Sequence, residues 1–182
     1  MKTWSAISLL IVLTFVVGSC SSTEPWVEPD DYRITLDGRL SQDADGFYHL
    51  GLLRDRFQTV HRLTGAILDS KGQPPYQPQK IAWESSHVWY YVPGDTVITI
   101  LRRNVNAQGR WVVIDTATVL APDSLVVPTV NPSSYSDARG EINSMIGPVL
   151  PMLGDTMTIS AVWTSTWYTT DTIRALVRII LE

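Results

Sequence analysis

A single cysteine, Cys20, stands in 182 residues. One thiol closes no intramolecular disulfide, so packing alone has to hold the fold. Long apolar runs are missing too. The run from Ala6 to Gly18 is shorter than the ~17–20 residues that cross a bilayer as a helix, and polar residues follow it at once. Basic clusters are scarce: Arg102–Arg103 is the one adjacent Lys/Arg pair, and the formal charge is −4. An acidic chain without a basic stripe is a poor ligand for nucleic acid. The signatures of common catalysts are absent, with no G-x-S-x-G, no H-E-x-x-H, no Walker loop and no dinucleotide fingerprint. The expectation is a non-enzyme that needs no cofactor.

What is present begins at the N-terminus. Met1–Lys2 supplies a positive charge, about a dozen apolar residues follow, and small residues close the segment. That is the build of a secretory signal. Val17-Gly18-Ser19-Cys20 resembles the lipobox of bacterial lipoproteins, an aliphatic residue and two small ones before cysteine. In that family a dedicated peptidase cuts just before the cysteine, whose sulfur carries diacylglycerol and whose new amino group is usually acylated. The resemblance implies that Val17, Gly18 and Ser19 form the recognition site and that Cys20 is lipidated. It covers the first 20 residues. One acyl chain binds a bilayer only reversibly, and stable anchoring takes at least two. Ser21, rather than aspartate, follows the cysteine, which resembles the outer-membrane pattern of double-membraned bacteria. The expected location is the bacterial cell envelope, lipid-anchored at the outer membrane, on its periplasmic or surface face.

Loss of residues 1–19 leaves 163 residues and takes the formal charge to −5. That length suits one domain. Residues 20–31 read as the lipidated cysteine and an acidic, proline-containing tether, and residues 21–31 span at most ~35 Å. Residues 32–182 are rich in β-branched and aromatic side chains, with seven Trp and seven Tyr among 182 residues. Apolar and polar residues alternate with period two, clearest in Met157, Ile159, Ala161 and Trp163 against Thr156, Thr158 and Ser160. Seven to nine strands parted by turn signals predict an all-β, antiparallel β-sandwich. The general look resembles immunoglobulin-like or fibronectin-like modules of bacterial envelopes, without the Cys–Trp–Cys framework of true immunoglobulins. Residues 121–154, with five prolines, predict one long irregular loop, with a helical turn or two near Ser134 or Ser136. Gly-Asp-Thr recurs at 94–96 and 154–156, which reads as repeated turn chemistry.

Four candidate sites follow, each beside a plainer reading. Asp43 and Asp45, with Ser41 and Gly46, imitate the opening of a calcium loop, but Leu52 occupies the position of the bidentate glutamate. A β-turn explains the same residues. A hairpin centred on Asp55 would set His49 across from His61, two ligands where a metal site needs three or four. Trp83, His87, Trp89 and Tyr91 share one strand face, either as a platform for sugar rings or as core. Trp167 and Tyr168 sit in a loop, where exposed aromatics suggest recognition and packing back over the sheet edge is the plainer reading. Two functions are therefore expected. One is a non-catalytic, lipid-anchored accessory module that docks a protein partner through Trp167, Tyr168 and residues 133–147. The alternative is a carbohydrate-binding lipoprotein built on Trp83 and Trp89. A small hydrolase would need a polar cleft or two facing carboxylates.

Overall fold

The computed structural model describes residues 32–91, 96–121, 125, 127–165 and 172–182. Among the described residues twelve strands follow one another: β1 Arg33–Asp37, β2 Ser41–Gln42, β3 Tyr48–Leu50, β4 His61–Leu68, β5 Lys80–Ser85, β6 His87–Tyr91, β7 Val97–Val105, β8 Trp111–Leu120, β9 Ser133–Tyr135, β10 Glu141–Ile146, β11 Thr156–Thr164 and β12 Thr172–Leu181. One 3-10 turn, Leu150–Met152, is the sole helical element among the described residues. Three of the twelve strands, β2, β3 and β9, have three residues or fewer, which is why pattern reading finds fewer.

The strands form three sheets, ordered β1-β4-β10, β2-β3-β12-β11-β5-β9 and β6-β7-β8. Pairing is antiparallel except between β3 and β12, which run parallel. The protein is a β-sandwich. Ile34, Leu63, Ile67, Ile142 and Ile146 from the first sheet meet Ile81, Met157, Ile159, Ile179 and Leu181 from the second, and Ile98 and Ile100 extend the same core from the third. The alternation read in the sequence does this: Val177, Ile179 and Leu181 of β12 point inward while Arg174, Leu176 and Arg178 face out.

One turn is used four times. Asp43, Asp69, Asn106 and Asp137 each open a five-residue turn whose fourth member is glycine, at φ +80, +76, +74 and +76. In each, the first residue's Oδ1 accepts the amides two and four residues on, at 2.7–3.0 Å. The glycine's own amide returns to the first residue's carbonyl. A short polar side chain that bonds its own backbone, with a glycine able to take positive φ, specifies the turn locally.

Three expectations give way. Residues 121–154 are not one irregular loop, and no α-helix starts at Ser134 or Ser136. β9, the Asp137 turn, β10 and the 3-10 turn fill most of residues 133–152. Pro128, Pro132 and Pro148 stand outside the strands and Pro151 sits in the 3-10 turn, and a proline's carbonyl still accepts: Trp83 N–H donates to Pro132 O and Thr59 N–H to Pro148 O. Nor do residues around Asp55 make a hairpin. β3 belongs to the second sheet and β4 to the first, and the connection carries Leu52 into the core, its amide on Glu182 O at 2.6 Å. Finally, Lys80–Tyr91 is not one strand. β5 pairs with β11, then the chain changes sheets at Ser86 and β6 pairs with β7. Ser86 is tied to both sides, its N–H on Thr158 O and its carbonyl taking the Arg103 amide.

Candidate functional site

The change of sheet at Ser86 opens onto a cleft of about 410 Å³ between β7, β8 and the start of β11. A hydrogen-bond chain lines it. The Thr158 amide donates to Ser86 Oγ at 2.8 Å, Ser86 Oγ lies 2.9 Å from His87 Nδ1, and His87 Nε2 lies 3.4 Å from Asp155 Oδ2. A carboxylate only accepts, so Nε2 carries the ring proton and the serine hydroxyl donates to Nδ1. Strand register sets His87, Arg102 and Asp115 in one row across β6, β7 and β8. Arg102 bridges two acids: Nε and one terminal nitrogen each stand 2.9 Å from Asp155 Oδ2, and the other terminal nitrogen stands 2.9 Å from Asp115.

Burial holds the His87 pKa below its ordinary value; Asp155 pulls it the other way, and the guanidinium groups of Arg102 and Arg103 add to the burial. Burial also opposes the Arg102 charge, but its hydrogen bonds to Asp155 and Asp115 outweigh that and raise its pKa. The order serine, histidine, aspartate is that of an acyl-transfer triad. The surroundings weaken each role. Ser86 is 7% exposed and its oxygen already accepts a backbone amide. A buried imidazole with a depressed pKa is a poor base, and the Asp155 oxygen that would steady an imidazolium already holds Arg102. The cluster pins the strand where it leaves one sheet for another.

The cleft's second wall is a ladder of charge and ring. Arg103 lies over Trp111, 5.4 Å from the ring centroid, and donates to Ser85 O. Its Nε is buried without a partner among the described residues. Burial lowers the Arg103 pKa. Trp111 Nε1 donates to Glu84 at 2.9 Å, and Arg174 reaches the same Glu84 oxygen at 2.8 Å. None of this was foreseen from the sequence. Arg102 and Arg103 are adjacent, whereas their partners lie dozens of positions away on other strands, so only the register reveals them.

The residues singled out in the sequence fare differently. Trp83 is 4% exposed and its indole N–H is held by Ser134 Oγ at 2.9 Å. Trp89 is half-buried, donates to Gly147 O at 3.0 Å and meets Tyr91 edge-on at 6.0 Å. Trp83 belongs to the core, where large rings fill the most volume, while Trp89 is half-buried and Tyr91 is 40% exposed. Trp83 and Trp89 stand in different sheets, so the stripe is not one strand face. Asp43 and Asp45 form the first of the four turns, not a calcium loop. Asp43 Oδ1 is committed to two amides, and the bond from Phe47 is the main cause of its lowered pKa. His49 and His61 do not face each other. His49 stands between Glu182 at 3.1 Å and Asp43 at 3.3 Å, which raise its pKa in that order of weight, while His61 Nε2 bonds Gly38 O at 2.6 Å. Among the described residues, no group of three or more His, Cys, Asp or Glu is placed to hold a metal ion. Val17, Gly18, Ser19 and Cys20 lie outside the described residues, as do the tether and Trp167 and Tyr168.

Four exposed apolar side chains, Val112, Val113, Ile114 and Leu120, lie on β8. This strand is the edge of its sheet, and both of its faces are open: Val113 is 53% exposed, Ile114 65% and Leu120 75%. A bulge sits midway, since Arg102 pairs with Asp115 but Arg103 with Val113, leaving Ile114 as the extra residue. Among the described residues no helix is long and apolar enough to cross a membrane.

No protein-family model matches the chain, and no curated protein matches it. The structure is similar to the solved structure of VCBP3, domain 1, from Branchiostoma floridae, at 12% identity and a TM-score of 0.32, over 82% of this chain and 96% of that one. At that level the likeness carries no argument about what the chain does.

Proposed function

We propose that this protein is a lipid-anchored, non-catalytic module of a bacterial envelope whose sandwich docks a protein partner. The observation that carries the docking is β8, a ten-residue edge strand with apolar side chains open on both faces. Such an edge presents unpaired backbone donors and acceptors beside apolar surface, the combination that partners bind by strand addition. The contact surface therefore moves from residues 133–147, which are largely strand, to Val112, Val113 and Ile114. The anchor rests on the likeness of residues 17–20 to a lipobox. The carbohydrate reading loses the platform it was built on, because Trp83 is core.

A photo-crosslinking residue placed at Ile114 tests this in cells. The proposal expects one reproducible protein adduct at position 114 and none from the same residue at Gln108, at the tip of the same hairpin. Equal labelling at both positions, or no adduct at 114, would overturn the docking reading.

A further inference from the structure

Resting on the lipid-anchored reading, the structure assigns a bilayer-facing surface to the end of the sandwich where β1 begins. Residues 21–31 separate Cys20 from the first described residue, Tyr32, and reach at most about 35 Å. Tyr32 is seated: its ring meets Trp163 edge-on at 5.6 Å, and the Trp163 indole N–H is held by Gln79 Oε1 at 3.0 Å. Register fixes what else shares that end. Arg33 pairs with Leu68, Ile67 N–H bonds Gly140 O, and Lys80 pairs with Tyr135. The Asp69 and Asp137 turns are therefore neighbours of the residue at which the tether arrives.

The surface they present has interfacial chemistry. Tyr76 is 83% exposed and Tyr135 62%, and Lys71, Lys80 and Arg139 are exposed with no carboxylate within ion-pair distance among the described residues. Amphipathic rings and long cationic stems suit the headgroup layer of a bilayer, where ring and stem lie in apolar surroundings and the polar tip stays wet. Asp69 and Asp137 are each turned onto their own turn's amides. The far end cannot compete for the membrane. β12 runs ten residues away from this end, about 30 Å, so nearly the whole tether would have to stretch alongside the domain. Tethering raises the local concentration of this surface at the bilayer to roughly millimolar, so contacts too weak to bind alone are populated.

The test uses the full, processed protein in vesicles of one part phosphatidylglycerol to three parts phosphatidylethanolamine carrying a headgroup spin label. A fluorophore is attached at Gln77→Cys near the surface or at Asp55→Cys at the far end. Quenching several-fold stronger at 77 than at 55, falling toward equality in Tyr76→Ser/Tyr135→Ser/Lys80→Ser, supports the surface. Intact mass and vesicle flotation are read on the same samples. Acyl mass with equal quenching at the two probes overturns the surface and leaves the anchor standing. Absence of acyl mass together with loss of flotation overturns the anchor, and the surface with it.

Discussion

Asp155 shows how much one side chain can join. It is the second residue of a Gly-Asp-Thr turn, where aspartate ordinarily bonds a nearby amide. Instead one of its oxygens takes two Arg102 nitrogens and faces His87. Asp155→Asn should lower stability by about 2 kcal/mol, read from urea unfolding, because Arg102 loses the one of its two charged acceptors that takes two of its nitrogens. His87 sets a pH dependence of known sign. Its folded-state pKa lies below the ordinary 6.5, so the unfolded chain takes up the proton first as acid is added. The stability tied to neutral His87 is full above about pH 6.5 and drains as pH falls toward the folded value. Urea midpoints at about pH 7.5 and about pH 5 should differ less in His87→Asn than in the native chain. His49 works oppositely, since its raised pKa favours the fold below 6.5 and that contribution fades as pH rises. Neither role was legible in the sequence. A histidine in an alternating strand reads the same whether it faces Arg102 or water.

Elements were legible where their signal is local. The four Asp/Asn-x-x-Gly turns carry their signal within five residues, which makes the one at Asp43 legible, while the one at Asp137 falls where the sequence predicts an irregular loop with a helical turn. They are not equal in tolerance. A Cβ on Gly109 meets nothing within 4 Å, so Gly109→Ala should lose about 1 kcal/mol from its positive φ alone. A Cβ on Gly140 would strike the carbonyl of Ile67 in β4, so Gly140→Ala should lose at least about twice as much by thermal or urea unfolding. Pairing between distant strands was not legible. Prolines at 128, 132, 148 and 151 made that stretch of the chain look irregular, yet β9 and β10 fit between them. The apparent hairpin at Asp55 failed for a related reason. A tight polar triplet marks a turn but does not say which sheet the next strand will join, and here β4 crosses to the other layer.

At the scale of the whole molecule, period-two alternation and the lack of any long helical pattern pointed to a β-sandwich, since strands with one apolar face bury it by packing sheet on sheet. Which edge stays open is a property of the assembled sheets, and β8 could not be singled out beforehand. An open apolar edge is a hazard for a freely diffusing protein, and the bulge at Ile114 together with Asp115 interrupts it. Ile114→Lys should leave the unfolding free energy from urea titration within about 0.5 kcal/mol of the native value, as expected for a 65% exposed side chain, while abolishing the crosslinked adduct from a probe at Val112. Loss of stability instead would mean that the edge is held within the fold. The anchor is the premise on which location and partner both depend, and the intact mass of the protein extracted from membranes tests it most directly. The account predicts a mature chain beginning at Cys20 and carrying the mass of a diacylglycerol and a further acyl group. A chain that begins elsewhere, or a Cys20 without added mass, would contradict it.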